Sequence, residues 1–435
     1  MKNIVIIILD CLRHFEALNM DFSSRMPNIS RIRENFFTFE QNIASTSVTL
    51  PAFLSLLSGA IPIAHGVKNQ LFKNFNSKLS LLPDILRANN YKTSAYLTGP
   101  FTSIDALNPL FDECRIHKYT ERMDSNRGTE ILQSLDKLRK QSTPFFSLIH
   151  FYELHIDRYI NSSGNYRITD YDYLKSMASI DSYIGKILEN IDLDKTILVI
   201  MGDHGEAVYK TAAERIIGNT ELFFLKVFQK LKLASLNRMV KIYKLGHGFD
   251  VTEDLIRTPM FLNIPGYSMK KKFSNTVRSI DLYFTLLELL KIKNNYNEFE
   301  FKDFDLVFGK SLIPIINGNE TVHRIAYVEA PGPTVWSKDE ERICCIREFP
   351  FKYTISPFNP SKSQKLFNLE LDPYEKKDFS DKFPDKFNEL KEKYNCLMEN
   401  IEVFHKKNND FIRNQNYTNQ ELQKIQEQLK ELGYM

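Results

Sequence analysis

The sequence predicts an α/β protein: a large, mostly parallel sheet flanked by helices, followed by a small C-terminal antiparallel sheet with a helix. Three observations lead there. Short apolar runs alternate with amphipathic segments through most of the chain. Three acidic signals, Asp10, Glu153 and Asp203, stand at or just beyond the ends of such runs. From about residue 321 the texture changes to short strand-like stretches separated by polar turns.

The first element is "MKNIVIIILD", whose apolar run covers residues 4–9 and is closed by Asp10. It is too short for a signal segment and has no small-residue cleavage site, so it reads as a buried parallel strand, Asn3–Leu9. Further strands are expected at 93–97, Phe145–Phe151, 196–201 and 259–264. Helices are expected at 51–58, at 81–88 with Ser80 as cap, and at 129–141, 171–191 and Asp281–Leu290. The C-terminal stretches "RIAYVEA", "RICCIREFPFKYTI" and "QKLFNLELDP" form the small sheet, with a helical tail over 381–433. The expected division is therefore a catalytic α/β domain over 1–320 and a small sheet with helical tail over 321–435.

One segment, 209–245, interrupts this order. It places eight Lys or Arg against two Glu, with its apolar residues at helical spacing, and so reads as a basic amphipathic helix or helix pair. Three roles stay open for it: an insertion packed on the domain, a lid that recruits an anionic substrate, or a peripheral membrane contact.

Composition sets the class. Hydrophobic residues are 43% and charged residues 26% of the chain, ordinary values for a protein with a sizeable core, and a net charge of +3 does not point to nucleic acid. Five cysteines form no CxxC, and adjacent Cys344 and Cys345 would face opposite sides of a strand. With no stretch of transmembrane length, the expectation is a cytoplasmic protein with reduced thiols.

The residues that carry chemistry sit at strand ends. "MGDHGEAV" puts Asp203 and His204 side by side after a strand, offering oxygen and nitrogen to a divalent ion. Read alone, Asp203 is equally a turn cap and His204 a polar surface residue. "VIIILDCLR" adds Asp10 as a third ligand and Arg13 as a bidentate anion holder. "SVTLPAFLSLLSG" then gains a context: Thr49 is a helix cap with Pro51 at the first helical position, or a nucleophile beside the metal, and both want one geometry. "GHGFD" contributes His247, and "HFYELH" contributes His150 and His155, which can neutralise charge or donate a proton.

These pieces, in this order, resemble the sulfatase branch of the alkaline phosphatase superfamily. The resemblance runs through "NIVIIILDCLR", "TLPAFLSLLSGAIPIAHGV", "HFYELH", "GDHGE", "GHG…IRTPMF", "GKSLIPIING" and "QKLFNLELDPYEKKDFS". It implies a sulfatase-like fold, with Asp10, Asp203, His204 and Thr49 holding one divalent ion (Zn, Mn or Ca) and room for a second. Thr49 becomes the nucleophile, and Arg13, His155 and His247 fall where the family contacts the ester group. The departures redirect the chemistry. Thr49 stands where sulfatases carry the residue oxidised to formylglycine, Phe53 replaces an arginine, "TGPFTS" replaces a lysine segment, and Cys11 replaces the second of two aspartates. Thr-x-Pro is similar instead to the nucleotide pyrophosphatase/phosphodiesterases, and the phosphoethanolamine and phosphoglycerol transferases also use a threonine. The expectation is a hydrolase or transferase of phosphate esters, diesters first, working through a phospho-threonine. A sulfatase without formylglycine and an inactive sulfatase-like binding protein are the alternatives. The partner is an anionic ester on a glycan, lipid head group or nucleotide.

Overall fold

The computed structural model describes residues 1–14, 26–71, 74–99, 101, 105–118, 121–155, 170–207, 246–267, 271–293, 296, 299, 304–332, 342–408, 412–413, 418, 422–423, 425 and 427. The basic segment 209–245 lies outside them.

The large sheet is built from β1 (Asn3–Leu9), β2 (Phe37–Ile43), β4 (Lys92–Leu97), β5 (Glu113–Ile116), β6 (Phe145–Phe151), β7 (Thr196–Gly202), β8 (Arg257–Asn263) and β9 (Lys272–Arg278). Across the sheet they run β5-β4-β6-β1-β7-β8-β2-β9. Every pairing is parallel except the two made by β8, with β7 and with β2. Strands β2, β5 and β9 escaped the sequence reading because polar residues break their apolar runs, as in "FTFEQNI" and "KFSNTVR".

β1 sits near the middle, and residues 4 to 9 are all buried. Its side chains alternate between faces, as strand geometry requires. Ile4, Ile6 and Ile8 pack into the same cluster as the helix Thr49–Ser58. Val5, Ile7 and Leu9 join the helices Pro27–Asn35, Asn126–Arg139 and Asp170–Glu189 on the other side. Covering both faces is what makes a continuous apolar run stable in a strand, at roughly 1.5–3 kcal/mol for each fully buried Ile.

The second sheet is antiparallel throughout: β10 (Ala326–Ala330), β11 (Ile343–Glu348), β12 (Phe351–Ile355) and β13 (Lys365–Asn368). Cys344 and Cys345 do face opposite sides, one in the main cluster and one in a smaller cluster with Val251 and Leu255. The helix Pro384–Asn408 lays Leu390, Tyr394, Leu397 and Ile401 into the main cluster beside Ile346 and Tyr353. The expected helical tail is met by this helix and by helical residues Leu422, Gln423, Ile425 and Glu427, but it is interrupted: β14 (Ile412–Arg413) pairs antiparallel with β3 (Phe75–Asn76). Among the described residues no helix is long and apolar enough to cross a membrane.

A buried ion cluster ties the two sheets. Arg347 of β11 grips Glu253 through Nε and Nη2, both at 3.0 Å, and Lys352 Nζ of β12 reaches it at 3.2 Å. Glu253 opens the short helix Glu253–Ile256 that feeds β8.

Candidate active site

Because β6, β1 and β7 lie side by side and parallel, their exits converge on one edge of the sheet, the edge where open α/β sheets place ligands. Asp10 follows β1, His150 is next to last in β6, and Asp203 follows β7. Thr49 arrives from the helix after β2, and His247 from the loop that leads to the antiparallel β8.

Thr49 is the first residue of its helix, not the cap. The cap is Val48, extended at φ −140 and ψ 135 with no side-chain cap bond, so Pro51 is the third helical residue. The correction has a physical cause. The helix-start N–H of Leu50 is met by Gln70 Oε1 at 3.0 Å, and the Thr49 hydroxyl instead lies 3.2 Å from His204 Nε2. Ser80 likewise does not cap its helix, whose cap is Leu81 without a side-chain bond.

The tautomer of His204 is fixed by its neighbours. Nδ1 lies 2.8 Å from the carbonyl of Gly205, an acceptor, so Nδ1 carries the proton and Nε2 presents a lone pair. That lone pair faces Thr49 Oγ1 at 3.2 Å and both Asp10 Oδ1 and Asp203 Oδ2 at 3.6 Å. Asp203 Oδ1 accepts from the backbone N–H of His204 at 2.8 Å and of Cys11 at 3.3 Å. Asp203 Oδ2 and Asp10 Oδ2 are buried without a hydrogen-bond partner among the described residues.

One ligand atom from each of Asp10, Asp203 and His204 lies within 4.8 Å of the others. All of these atoms accept, and burying two carboxylates beside a lone pair is costly unless a cation joins them. The strain registers in the acidities. Burial, then the Asp203 charge, pushes Asp10 well above the usual carboxylate range. Burial pushes Asp203 up to about 7. His204 is driven well down, by burial first and His247 second. Two oxygens and an imidazole nitrogen with unmet acceptor capacity fit a divalent cation.

The expected histidines come to the same place. The His247 ring lies 4.4 Å from that of His204 and 4.7 Å, edge-on, from that of His155, which stacks on Tyr152 at 4.5 Å. His247 Nδ1 lies 3.3 Å from Glu206 Oε2. Arg13 is buried at the turn after β1; its backbone N–H donates to Tyr173 Oη at 2.9 Å, and its Nη2 lies 3.5 Å from Asp254 Oδ1. Glu153 does another job. It receives Arg127 Nη1 at 3.2 Å and the Met123 N–H at 3.1 Å, and Arg127 also donates to the His150 carbonyl, which locks the exit of β6.

His150, already offered by "HFYELH", has Nε2 3.6 Å from Asp10 Oδ2, and burial, with Arg127 adding, pushes its pKa down to about 3. Other residues of the site had little or no sequence signal. Glu206 was legible in principle, two positions after His204 in "GDHGE". Tyr173 and Asp254 lie 160 and 241 positions from Arg13, and nothing local marks them.

Comparison with known proteins agrees with the architecture. The family model described as Sulfatase matches residues 2–292. An uncharacterized protein of Haemophilus influenzae is 22% identical over 204 residues, covering 47% of this chain and 31% of that protein, so the chain matches under a third of that relative's length. Among solved structures, the phosphonate monoester hydrolase of Agrobacterium radiobacter superposes with a TM-score of 0.65 at 14% identity, over 92% of this chain and 96% of that one. The phosphonate monoester hydrolase SpPMH from Silicibacter pomeroyi gives 0.61 at 14% identity, over 96% and 100%. A protein solved with its substrate D-glucosamine-2-N,6-O-disulfate gives 0.61 at 14% identity, over 94% and 98%. At these identities the structural likeness speaks to the fold alone.

Proposed function

The chain belongs to the sulfatase family of the alkaline phosphatase superfamily, and from that premise we propose that it is a metal-dependent hydrolase or transferase of phosphate esters, diesters first, with Thr49 as nucleophile. The observation that carries the reading is the Thr49 hydroxyl, fully buried and 3.2 Å from His204 Nε2 beside the Asp10–Asp203 pair. Phe53 supports phosphate over sulfate. Where the resemblance calls for an arginine behind the nucleophile, this chain buries a phenyl ring 4.8 Å from that of Phe101.

Asp10, Asp203 and His204, with Thr49 itself, would hold the ion. When bound, a divalent cation there supplies Lewis-acid stabilisation of negative charge on oxygen. The rest is done by the chain. Thr49 Oγ1 gives up its proton to solvent and forms the new bond to phosphorus as the ester oxygen opposite it leaves, giving a phospho-threonine. Arg13 and His247 offset the extra negative charge, with Glu206 orienting the His247 ring through Nδ1. His155 hands a proton to the leaving oxygen. Water, or a sugar or lipid hydroxyl, then takes the phosphoryl group from Thr49. The same reading assigns 1–320 to catalysis and 321–435 to the small sheet and tail that brace it.

Sulfate-ester hydrolysis without formylglycine is the second reading, favoured by family membership. Initial rates on an aryl phosphodiester, an aryl phosphonate monoester and an aryl sulfate separate the two. The phosphodiester is expected to be turned over fastest; an aryl sulfate turned over faster than both others would overturn the proposal.

A further inference from the structure

We infer that Cys11 is a thiolate ligand of the cation held by Asp10, Asp203 and His204, so that the site takes a thiophilic divalent ion of the zinc class in preference to calcium or magnesium. The inference rests on the proposed reading of those three residues as a cation site. It goes beyond it by naming a fourth donor and, through that donor, the class of ion.

The geometry of Cys11 carries the argument. It follows Asp10 directly and adopts φ +63, a left-handed conformation that side chains other than Gly, Asn and Asp rarely take. Such a backbone persists where the surroundings over-determine it, and here they do. The Cys11 N–H donates to Asp203 Oδ1 at 3.3 Å, and its carbonyl accepts from Tyr173 Oη at 2.7 Å. The left-handed turn brings Sγ back against the site, 3.0 Å from Asp10 Oδ1 and 3.6 Å from His247 Nδ1.

Cys11 Sγ also belongs to a ligand group of its own. With one atom each from His204 and His247 it forms a set lying within 4.8 Å, and His204 is common to this set and the Asp10–Asp203 set. A second observation points to a missing ligand in the adjoining set, which shares His204: Asp10 Oδ2 and Asp203 Oδ2 are buried and lack a hydrogen-bond partner among the described residues. Cys11 is fully buried, a poor position for a thiol meant to exchange with partners in solution.

The donor set decides the ion. Calcium takes six to eight oxygens and magnesium a near-ideal octahedron of them, whereas two carboxylates, one imidazole and one sulfur suit zinc, cobalt or cadmium. On binding, the sulfur lone pair goes to the metal and the thiol proton passes to bulk buffer.

The test uses the full-length protein, stripped with chelator and titrated with cobalt(II) alone, read by absorption. Wild type is expected to show visible ligand-field bands together with a near-ultraviolet thiolate-to-cobalt charge-transfer band, both abolished by zinc and neither by the same concentration of calcium. Cys11→Ser is expected to keep visible bands and lose the charge-transfer band. Cys11→Asp, which suits the left-handed backbone and retains an anionic donor, is the companion variant; it should lose the band and gain calcium binding, with far-ultraviolet circular dichroism matching wild type. Visible bands without a sulfur band in wild type, or a sulfur band that survives in Cys11→Ser, overturn the assignment of Cys11 alone. Failure of wild type to bind cobalt at all overturns the cation reading along with it.

Discussion

The Thr49 hydroxyl oxygen lies 3.2 Å from Nε2 of His204, although the two residues are 155 positions apart. Since His204 Nδ1 is committed to the Gly205 carbonyl at 2.8 Å, the lone pair on Nε2 has nowhere to point except at Thr49 and the two carboxylates. This hydroxyl makes no helix-capping bond, which agrees with the proposed nucleophile role. Thr49→Ala is therefore expected to lower kcat/KM by roughly 10³-fold or more while leaving the circular dichroism spectrum unchanged. Thr49→Ser, which keeps the hydroxyl, should retain a measurable fraction of the rate.

Burial makes the Asp203 charge costly, and a bound cation would offset that cost. Two buried carboxylates face one lone pair, so neutralising one should relieve the metal-free fold even as it ruins the site. Asp203→Asn is expected to melt higher than wild type in chelator and to lose the rise in Tm that zinc gives wild type. A thermal melt with and without zinc checks both halves; an unchanged zinc shift in the variant would contradict the ligand role.

Stability in acid should depend on Glu253. Burial alone would raise this carboxyl, but Arg347 and Lys352 outweigh it and hold it well below its ordinary 4.5. A depressed folded-state pKa means that the contribution is complete above pH 4.5 and is lost as pH falls below it, because the unfolded chain takes up the proton first. Glu253→Gln should cost about 3 kcal/mol at pH 7 by leaving Arg347 buried without its carboxylate, and should flatten the acid limb of the stability profile. Urea unfolding from pH 3 to pH 7 measures both.

Gly205 holds the Asp203–His204 turn against its support. Its N–H donates to the Leu255 carbonyl at 2.8 Å, and a Cβ at this position would meet the Asp254 carbonyl oxygen at 2.0 Å. Backbone cannot yield as a side-chain tip can, so Gly205→Ala must displace the turn that carries two proposed metal ligands. We expect at least a tenfold loss of activity with a stability cost of about 1–3 kcal/mol. Wild-type turnover in this variant would mean that the position of the turn does not matter.

Much of this is legible in the amino-acid sequence. β1 and β7 announced themselves because strands buried on both faces are written in unbroken apolar residues, and Asp10 and Asp203-His204 stood at their ends. Thr49 was legible from its company, but its exact place was not. A threonine two residues before a proline looks like a cap, and only the Gln70 side chain, 20 positions from Leu50, shows that the helix start is satisfied without it. Glu153 misled for a related reason. An acid at a strand end looks the same whether it serves a ligand or a buried arginine, and Arg127 decides it. Edge strand β9 and the Ile412–Arg413 pairing were hidden because their partners, not their own residues, make them strands.

In the proposed reaction Thr49 carries the phosphoryl group. Acid-quenched mass spectrometry of the protein after brief incubation with zinc and an aryl phosphodiester tests it most directly. A mass increase equal to the transferred phosphoryl group is expected, mapped to the peptide containing Thr49 and absent from Thr49→Ala. Turnover of the same ester by Thr49→Ala at the wild-type rate, with no adduct on Thr49 in wild type, would contradict it.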